Sequence, residues 1–500
     1  MKNARTFLVS LIFISLSVGT NAQFSGGDGS QGNPYIITTA TQLAQLATYV
    51  NDGTTPYANA NVHYKLNNNI DLSNYQTGEG WTPIGWYRYP DDYPFKGVFD
   101  GNGKKIIGLT INTTTATDYS KLMYVGLFGR IDKATVKNLG IEDANIINST
   151  TEHYYNSRYT GGVVGYNIEG SVSNCYSTGS VSSSSTQSSY CTSNAGGVVG
   201  RNYKGSVSNC YSTGLVNSLS YGSLATGGGF SNAGGVVGYN DEGSVSNCYS
   251  TASVSSSSSS KSYSEAGGVV GYSNEGSVSN CYSTGSVSSS SASMSSYVGG
   301  VIGDNSTGSS VSNCAALNPN INCTGTSKYF GRVAGKNSGT LTNNIAFSEM
   351  LNPDNAITWN NKGATQIDGE DITKQSIQAD GTLGGRFTNT NGWTTQNGKL
   401  PGLFGNVVDM PAHLGGSTSI EEMQGNTSVQ MYPNPTSGKL SIESEILKIS
   451  TIQLFDIFGR NVISFQLSET MLDISYLPAG VYFVKIQTES GVITQKVIKE

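Results

Sequence analysis

The stretch Gly234–Val254 reads GGVVGYNDEGSVSNCYSTASV, and Gly267–Val287 repeats it almost letter for letter as GGVVGYSNEGSVSNCYSTGSV. The same core opens at Gly126, Gly162, Gly197, Gly235, Gly268 and Gly300, with a worn copy at Arg332, so successive copies lie 36, 35, 38, 33, 32 and 32 residues apart. A period of this size limits the chain to a solenoid, a propeller or an array. Each unit holds short β-branched stretches divided by turns such as Asn240-Asp241-Glu242-Gly243, and no copy has a helical apolar period. Parallel strands that return without helices predict an all-β fold, a parallel, right-handed β-helix with one unit per coil. Coils then stack about 4.8 Å apart, and equivalent residues form columns along the axis.

The columns carry the chemistry. Asn138, Asn174, Asn209, Asn247, Asn280, Asn313 and Asn343 form one. Asn tolerates the left-handed conformation of a corner, so this column reads as structural. The next holds Leu139, Cys175, Cys210, Cys248, Cys281, Cys314 and Asn344. Leu at one end marks a buried position, where free Cys acts as a small hydrophobe. Parallel Cβ vectors are poor disulfide geometry, and no His accompanies the column to make a metal site. Cys191 and Cys323 fall in variable loops and cannot be paired. Tyr176, Tyr211, Tyr249 and Tyr282 follow the cysteines. With Cys inward they point outward as an exposed ladder, which either stacks on sugar rings or packs on itself between coils.

Charged residues make up 12% of the chain and net charge is -6, which argues against nucleic acid as a partner. Lys2 and Arg5 precede an apolar run, Phe7 to Val18, and a small-x-Ala site that predicts cleavage between Ala22 and Gln23. That run is too short to span a membrane comfortably, and no second run of about 18 apolar residues exists. The expected product is exported and has no transmembrane segment.

Five regions follow: 1–22 signal peptide, 23–125 N-terminal cap and first coils, 126–350 repeats, 351–428 C-terminal cap and linker, and 429–500 a strand-rich β-sandwich. Leu43, Leu46, Ala47 and Val50 keep helical spacing and predict a helix that covers the first coil. The loop WTPIGWYRYPDDYPF, 81–95, crowds Trp81, Trp86, Tyr87, Tyr89, Tyr93 and Phe95 around Arg88, Asp91 and Asp92. Aromatics mixed with charge form ligand surfaces, so Trp86, Tyr87, Arg88, Tyr89, Asp91, Asp92 and Tyr93 are candidate binding residues. The stretch GWTTQNGKLPGLF, 392–404, reads as a last strand and cap.

Two families share these features. The unit GGVVG…GSVSNCYSTGSV is similar to the GLUG repeat of secreted bacterial β-helix proteins. The tail resembles the Ig-like C-terminal (type A) sorting domain of the type IX secretion system through Tyr432-Pro433-Asn434-Pro435-Thr436, Asp456-Ile457-Phe458-Gly459-Arg460, Leu477-Pro478-Ala479-Gly480-Val481-Tyr482 and Lys496-Val497-Ile498. The resemblance implies passage through the periplasm and the outer membrane of a Gram-negative bacterium. The product would be handled by that machinery through residues 429–500, then anchored outside or released.

No His-Glu-x-x-His occurs, and His63, His153 and His413 lie far apart. Neither a metal set nor a cofactor motif is present, and nothing singles out two carboxylates for glycoside chemistry. The expectation is a non-catalytic, adhesin-like protein that binds glycan, extracellular matrix or other cells. Its alternatives are a carbohydrate-active lyase or hydrolase on the same scaffold, and a surface stalk without a ligand.

Overall fold

A computed structural model describes residues 23–88, 91–114, 123–150, 156–186, 191–221, 229–259, 262–415, 429–444, 449–456, 461–466, 471–488 and 491–500. The signal-peptide expectation, with Ala22, lies outside these residues, whereas Gln23 lies inside. The chain divides into two compact units, Met1–Ser417 and Thr418–Glu500.

The first unit is a parallel β-solenoid of about seven turns. One wall is a seven-stranded parallel sheet from Phe128–Asp132 through Val164–Ile168 and Val199–Tyr203 to Ala334–Asn337. Its register joins equivalent repeat positions, as Val164 with Val199 and Val199 with Val237. Inside, Val163, Val198, Val236, Val269, Val301 and Val333 stack, fully buried. The glycines of the Gly-Gly-Val-Val-Gly core serve by close approach, not by positive φ: a Cβ at Gly196 would lie 1.9 Å from the Val199 carbonyl oxygen. Left-handed corners fall on other residues. All seven column asparagines have φ between 51° and 55°. So do Lys133, Glu169, Lys204, Glu242 and Glu275, with φ between 51° and 54°.

The variable Ser-rich segments lie in strands, as in Ser171–Thr186, Ser253–Ser258 and Val287–Gly299. Alternate serines turn inward and zip together. Ser193 donates to Ser183 at 2.8 Å, Ser231 to Ser218 at 2.9 Å and Ser264 to Ser256 at 2.8 Å. Every buried hydroxyl needs such a partner, and here the facing strand of the same coil supplies it. Cys323, expected in a loop, is buried in the strand Ile321–Gly331.

Helix α1, Ala40–Asn51, covers the first coil with Leu43, Leu46, Ala47 and Val50 buried, and the Thr39 side chain caps it by accepting from the Gln42 amide. At the other end Ile367 and the strand Glu370–Ile372 pair onto the last coil, and a short helix α2, Lys374–Asp380, follows. The second unit is two antiparallel sheets. One joins Val429–Tyr432, Lys439–Ser444 and Met471–Asp473; the other joins Ile449–Asp456, Asn461–Gln466, Gly480–Thr488 and Gly491–Lys499. Leu440, Leu454, Leu472 and Val484 fill its core.

Candidate functional site

The corner at each column Asn sets which side chains face outward. The left-handed residue reverses the alternation, so Val245 and Cys248 both point in. Cys175, Cys210, Cys248, Cys281 and Cys314 are fully buried free thiols. Cys175 and Cys248 each donate to the carbonyl two residues back, at 3.2 and 3.1 Å. Burial pushes the Cys175, Cys248 and Cys281 thiols up, which keeps them protonated and unreactive.

Tyr176, Tyr211, Tyr249 and Tyr282 pair in register and stack ring on ring, with centroids 4.8, 4.7 and 5.2 Å apart and planes within 8° of parallel. The expected exposed ladder is corrected for half its length. Tyr249 is 6% exposed and Tyr282 is fully buried. The cause is the segment expected as a last strand, which folds over the ladder instead. Trp393 packs on Tyr249 and Tyr282 at 6.3 and 5.8 Å, Phe387 meets Tyr282 edge-on at 5.6 Å, and the Tyr282 hydroxyl donates to the Pro401 carbonyl at 2.6 Å.

The other half stays half-buried and lines a groove of about 740 Å³. Its lining includes Tyr176 and Tyr211, Lys105 and Glu142, Asn138 and Asn174, and Leu403 and Phe404. Glu142 accepts from the Tyr176 hydroxyl at 2.8 Å and pairs with Lys105 at 2.7 Å. Burial works against its charge, but the bonds from Lys105 and Tyr176 win and hold its pKa below the usual carboxylate value. Burial, then the Glu142 charge, pushes Tyr211 up to about 12. At neutral pH the groove therefore holds two aromatic rings with neutral hydroxyls, side-chain amides and one closed ion pair.

The loop 81–95 is a hairpin in which Trp86 pairs with Tyr93, Tyr87 with Asp92, and Arg88 with Asp91. Trp86 Nε1 donates to the Asn51 carbonyl at 3.0 Å, which ties the hairpin to the end of α1. Asp92 pairs with Arg130 at 2.5 Å. Trp81, Trp86, Tyr75 and Thr48 line a pocket of about 240 Å³. Tyr89 lies outside the described residues, as do the Arg88 and Asp91 side chains.

One cluster escaped the sequence reading. Glu265 stands in a column with Asn232 and Tyr297, and Asp304 in the neighbouring wall with Tyr272 and Lys336. Glu265 is buried; burial first, then the Asp304 charge, pushes its carboxyl well up. Lys336 reaches Asp304 at 2.9 Å, yet burial still raises Asp304. The signal was SEAGG at 264–268, where the two preceding copies have SNAGG.

The GLUG motif matches residues 156–182, 192–217, 231–255, 262–288 and 294–322, and the secretion system C-terminal sorting domain matches residues 430–500. The chain is thus a GLUG-repeat β-solenoid with a type IX sorting domain. That domain marks it for secretion or outer-surface attachment in a Bacteroidetes-type Gram-negative bacterium. A candidate Gly-rich membrane protein of Evansella cellulosilytica is 34% identical over 138 residues, 27% of this chain and 14% of the relative. Halomucin of Haloquadratum walsbyi is 29% identical over 160 residues, 31% of this chain and 2% of the relative. The chain therefore aligns with only a small part of each relative. A crystal structure of a candidate immunoglobulin A1 protease from Bacteroides ovatus aligns with a TM-score of 0.46 and 21% identity, over 77% of this chain and 96% of that one. Among the described residues no helix is long and apolar enough to cross a membrane.

Proposed function

We propose that the solenoid is a non-catalytic, adhesin-like glycan-binding module of the cell exterior. One observation carries this reading: the tyrosine stack, covered over half its length, opens at Tyr176 and Tyr211 into a groove that also presents amides and an ion pair. Aromatic faces take the C–H faces of sugars, and amides and ionised groups take their hydroxyls. Glycoside hydrolysis asks for two carboxyl groups, one of them protonated. Glu142 is the single carboxylate among the groove-lining residues and is held ionised.

The test is the mature chain on a panel of glycans and matrix proteins, with a reducing-sugar assay beside it. Binding without sugar release is expected, and Tyr211→Ala should weaken it by about 1–3 kcal/mol, the range of an aromatic hot spot. If Trp86→Ala abolishes binding and Tyr211→Ala leaves it intact, the ligand sits in the Trp81–Trp86 pocket instead. Reducing-sugar release would favour the enzyme reading, and no binding at all would favour the stalk.

A further inference from the structure

We infer that the pocket which α1 shares with Trp81 and Trp86 is a second binding site, separate from the tyrosine groove, and that it takes a methylated ammonium group such as that of choline.

The helix sets the space. Ala44, Ala47, Thr48 and Asn51 fall at i, i+3, i+4 and i+7, so they share one face of α1, and all four line the pocket. Two of them are alanines, whose short side chains leave room above the helix. At about 240 Å³ the pocket is smaller than the roughly 300 Å³ at which sites for drug-sized ligands begin, so it suits one small group and no oligosaccharide. Its rings are held in place. Trp81 Nε1 donates to the Leu127 carbonyl at 3.2 Å, Trp86 Nε1 to the Asn51 carbonyl at 3.0 Å, and Tyr75 meets Trp81 edge-on with centroids 5.6 Å apart. Trp81 is buried, whereas Tyr75 and Trp86 are half-buried and carry the open ring surface. With their N–H groups spent, the indoles offer a ligand carbon and π-electron surface alone.

The polar groups of the lining are engaged as well. Asn51 Nδ2 donates to the Pro83 carbonyl at 3.0 Å, and its Oδ1 accepts from the Gly85 amide at 2.8 Å. The Thr48 hydroxyl donates to the Ala44 carbonyl at 3.1 Å. A ligand N–H or O–H that entered here would leave water for few partners. Charge then sets the class. Asp52 is the single charged residue of the lining; it is exposed, and its side chain makes no hydrogen bond or ion pair among the described residues. Helix α1 ends at this point, with its negative dipole end unopposed by any basic residue in the last turn. Ring faces, a carboxylate and a helix C-terminus all favour a cation. A primary ammonium would surrender its N–H bonds to water. A fully methylated ammonium has none to lose, and its methyl groups pack on the rings.

The experiment titrates the mature chain calorimetrically with choline, with ethanolamine, and with the uncharged carbon analogue of choline in which a tert-butyl group replaces trimethylammonium. Choline should bind, and the other two should bind about tenfold more weakly or not at all. Trp86→Leu and Tyr75→Leu keep bulk and remove a ring, and each should weaken choline binding about tenfold, with Trp86→Phe falling between wild type and Trp86→Leu. Asp52→Asn should weaken it about threefold at low salt and less at high salt. Melting temperatures check the fold of each variant, and Asp52→Asn, on an exposed side chain, keeps the test open should a ring variant misfold. Tyr211→Ala should bind choline as wild type does, which separates this site from the glycan reading. Binding to phosphatidylcholine vesicles that free choline reverses assigns the group to a lipid headgroup, and binding of free choline without vesicle binding assigns it to a solute; either supports the inference. The uncharged analogue binding as tightly as choline, or ethanolamine binding more tightly, overturns the ligand class. Choline binding that Trp86→Leu, Tyr75→Leu and Asp52→Asn all leave unchanged overturns the site, and a wild-type chain that binds no choline overturns both.

Discussion

Glu265 is the residue whose chemistry most opposes its position. Its carboxyl is buried and raised above the value of about 4.3 that it has when unfolded. The folded chain therefore holds a proton that the unfolded chain has released, so stability is highest below that value and falls as pH climbs through the folded pKa. Glu265→Gln keeps the shape and removes the titration. The solenoid of this variant should melt close to wild type at pH 4 and several degrees higher at pH 8, measured by circular dichroism. The thiol column makes the opposite case, an apolar residue well matched to its site. Cys248→Ser leaves a hydroxyl with poor partners and should cost about 1–3 kcal/mol in denaturant unfolding. The described thiols should alkylate in denaturant without prior reduction and resist alkylation when folded. The sequence states the asparagine corners outright, since Asn is the residue that accepts φ near +53°. The second left-handed column is illegible because Lys and Glu carry no such preference; the Gly that follows four of the five, all but Lys133, crowds its surroundings instead, as at Gly170 and Gly205.

At the scale of elements, the legible parts are those with local periodicity. Leu43, Leu46, Ala47 and Val50 define α1 from spacing alone. The serine strands fail that test, because alternating serines have no apolar contrast. Their inward half is identified only by partners eight to twenty-five residues away, such as Ser256 for Ser264, Ser193 for Ser218 and Ser231 for Ser256. The cover over the ladder is hidden for a related reason. Four stacked tyrosines make an apolar strip that exists only once coils align, and Trp393 and Phe387 answer to that strip. Half the candidate site was therefore readable, in Tyr176 and Tyr211, while Phe404, Lys105 and Glu142 required the assembled groove. Trp393 is buried against Tyr249, Tyr282 and Phe387. Trp393→Ala should cost about 3–5 kcal/mol, the range for removing a buried large aromatic. Tyrosine absorbance should then report Tyr249 and Tyr282 opening to solvent.

At the scale of the whole chain, a solenoid is stabilised between neighbouring coils and exposed at its ends, so it stands by itself once both ends are closed. Here α1 closes one end and the chain through Ile367 and Glu370–Ile372 pairs onto the other, both inside the unit that ends at Ser417. The sorting unit has its own core, built from Leu440, Leu454, Leu472 and Val484. Folding of the first unit should therefore not need the second, whereas the route out of the cell should. Deleting residues 429–500 should leave a solenoid with unchanged β circular dichroism and an unchanged melting temperature, held in the periplasm. Fractionation into periplasm, outer membrane and medium, probed with an antibody to the solenoid, reads the outcome. The truncated chain reaching the surface or the medium at the wild-type level would remove the sorting role from residues 430–500. A truncated chain that is degraded because it cannot fold would show instead that the second unit supports the first. Attaching residues 418–500 to an unrelated exported protein separates these cases: transport of that fusion across the outer membrane assigns the address to the tail alone.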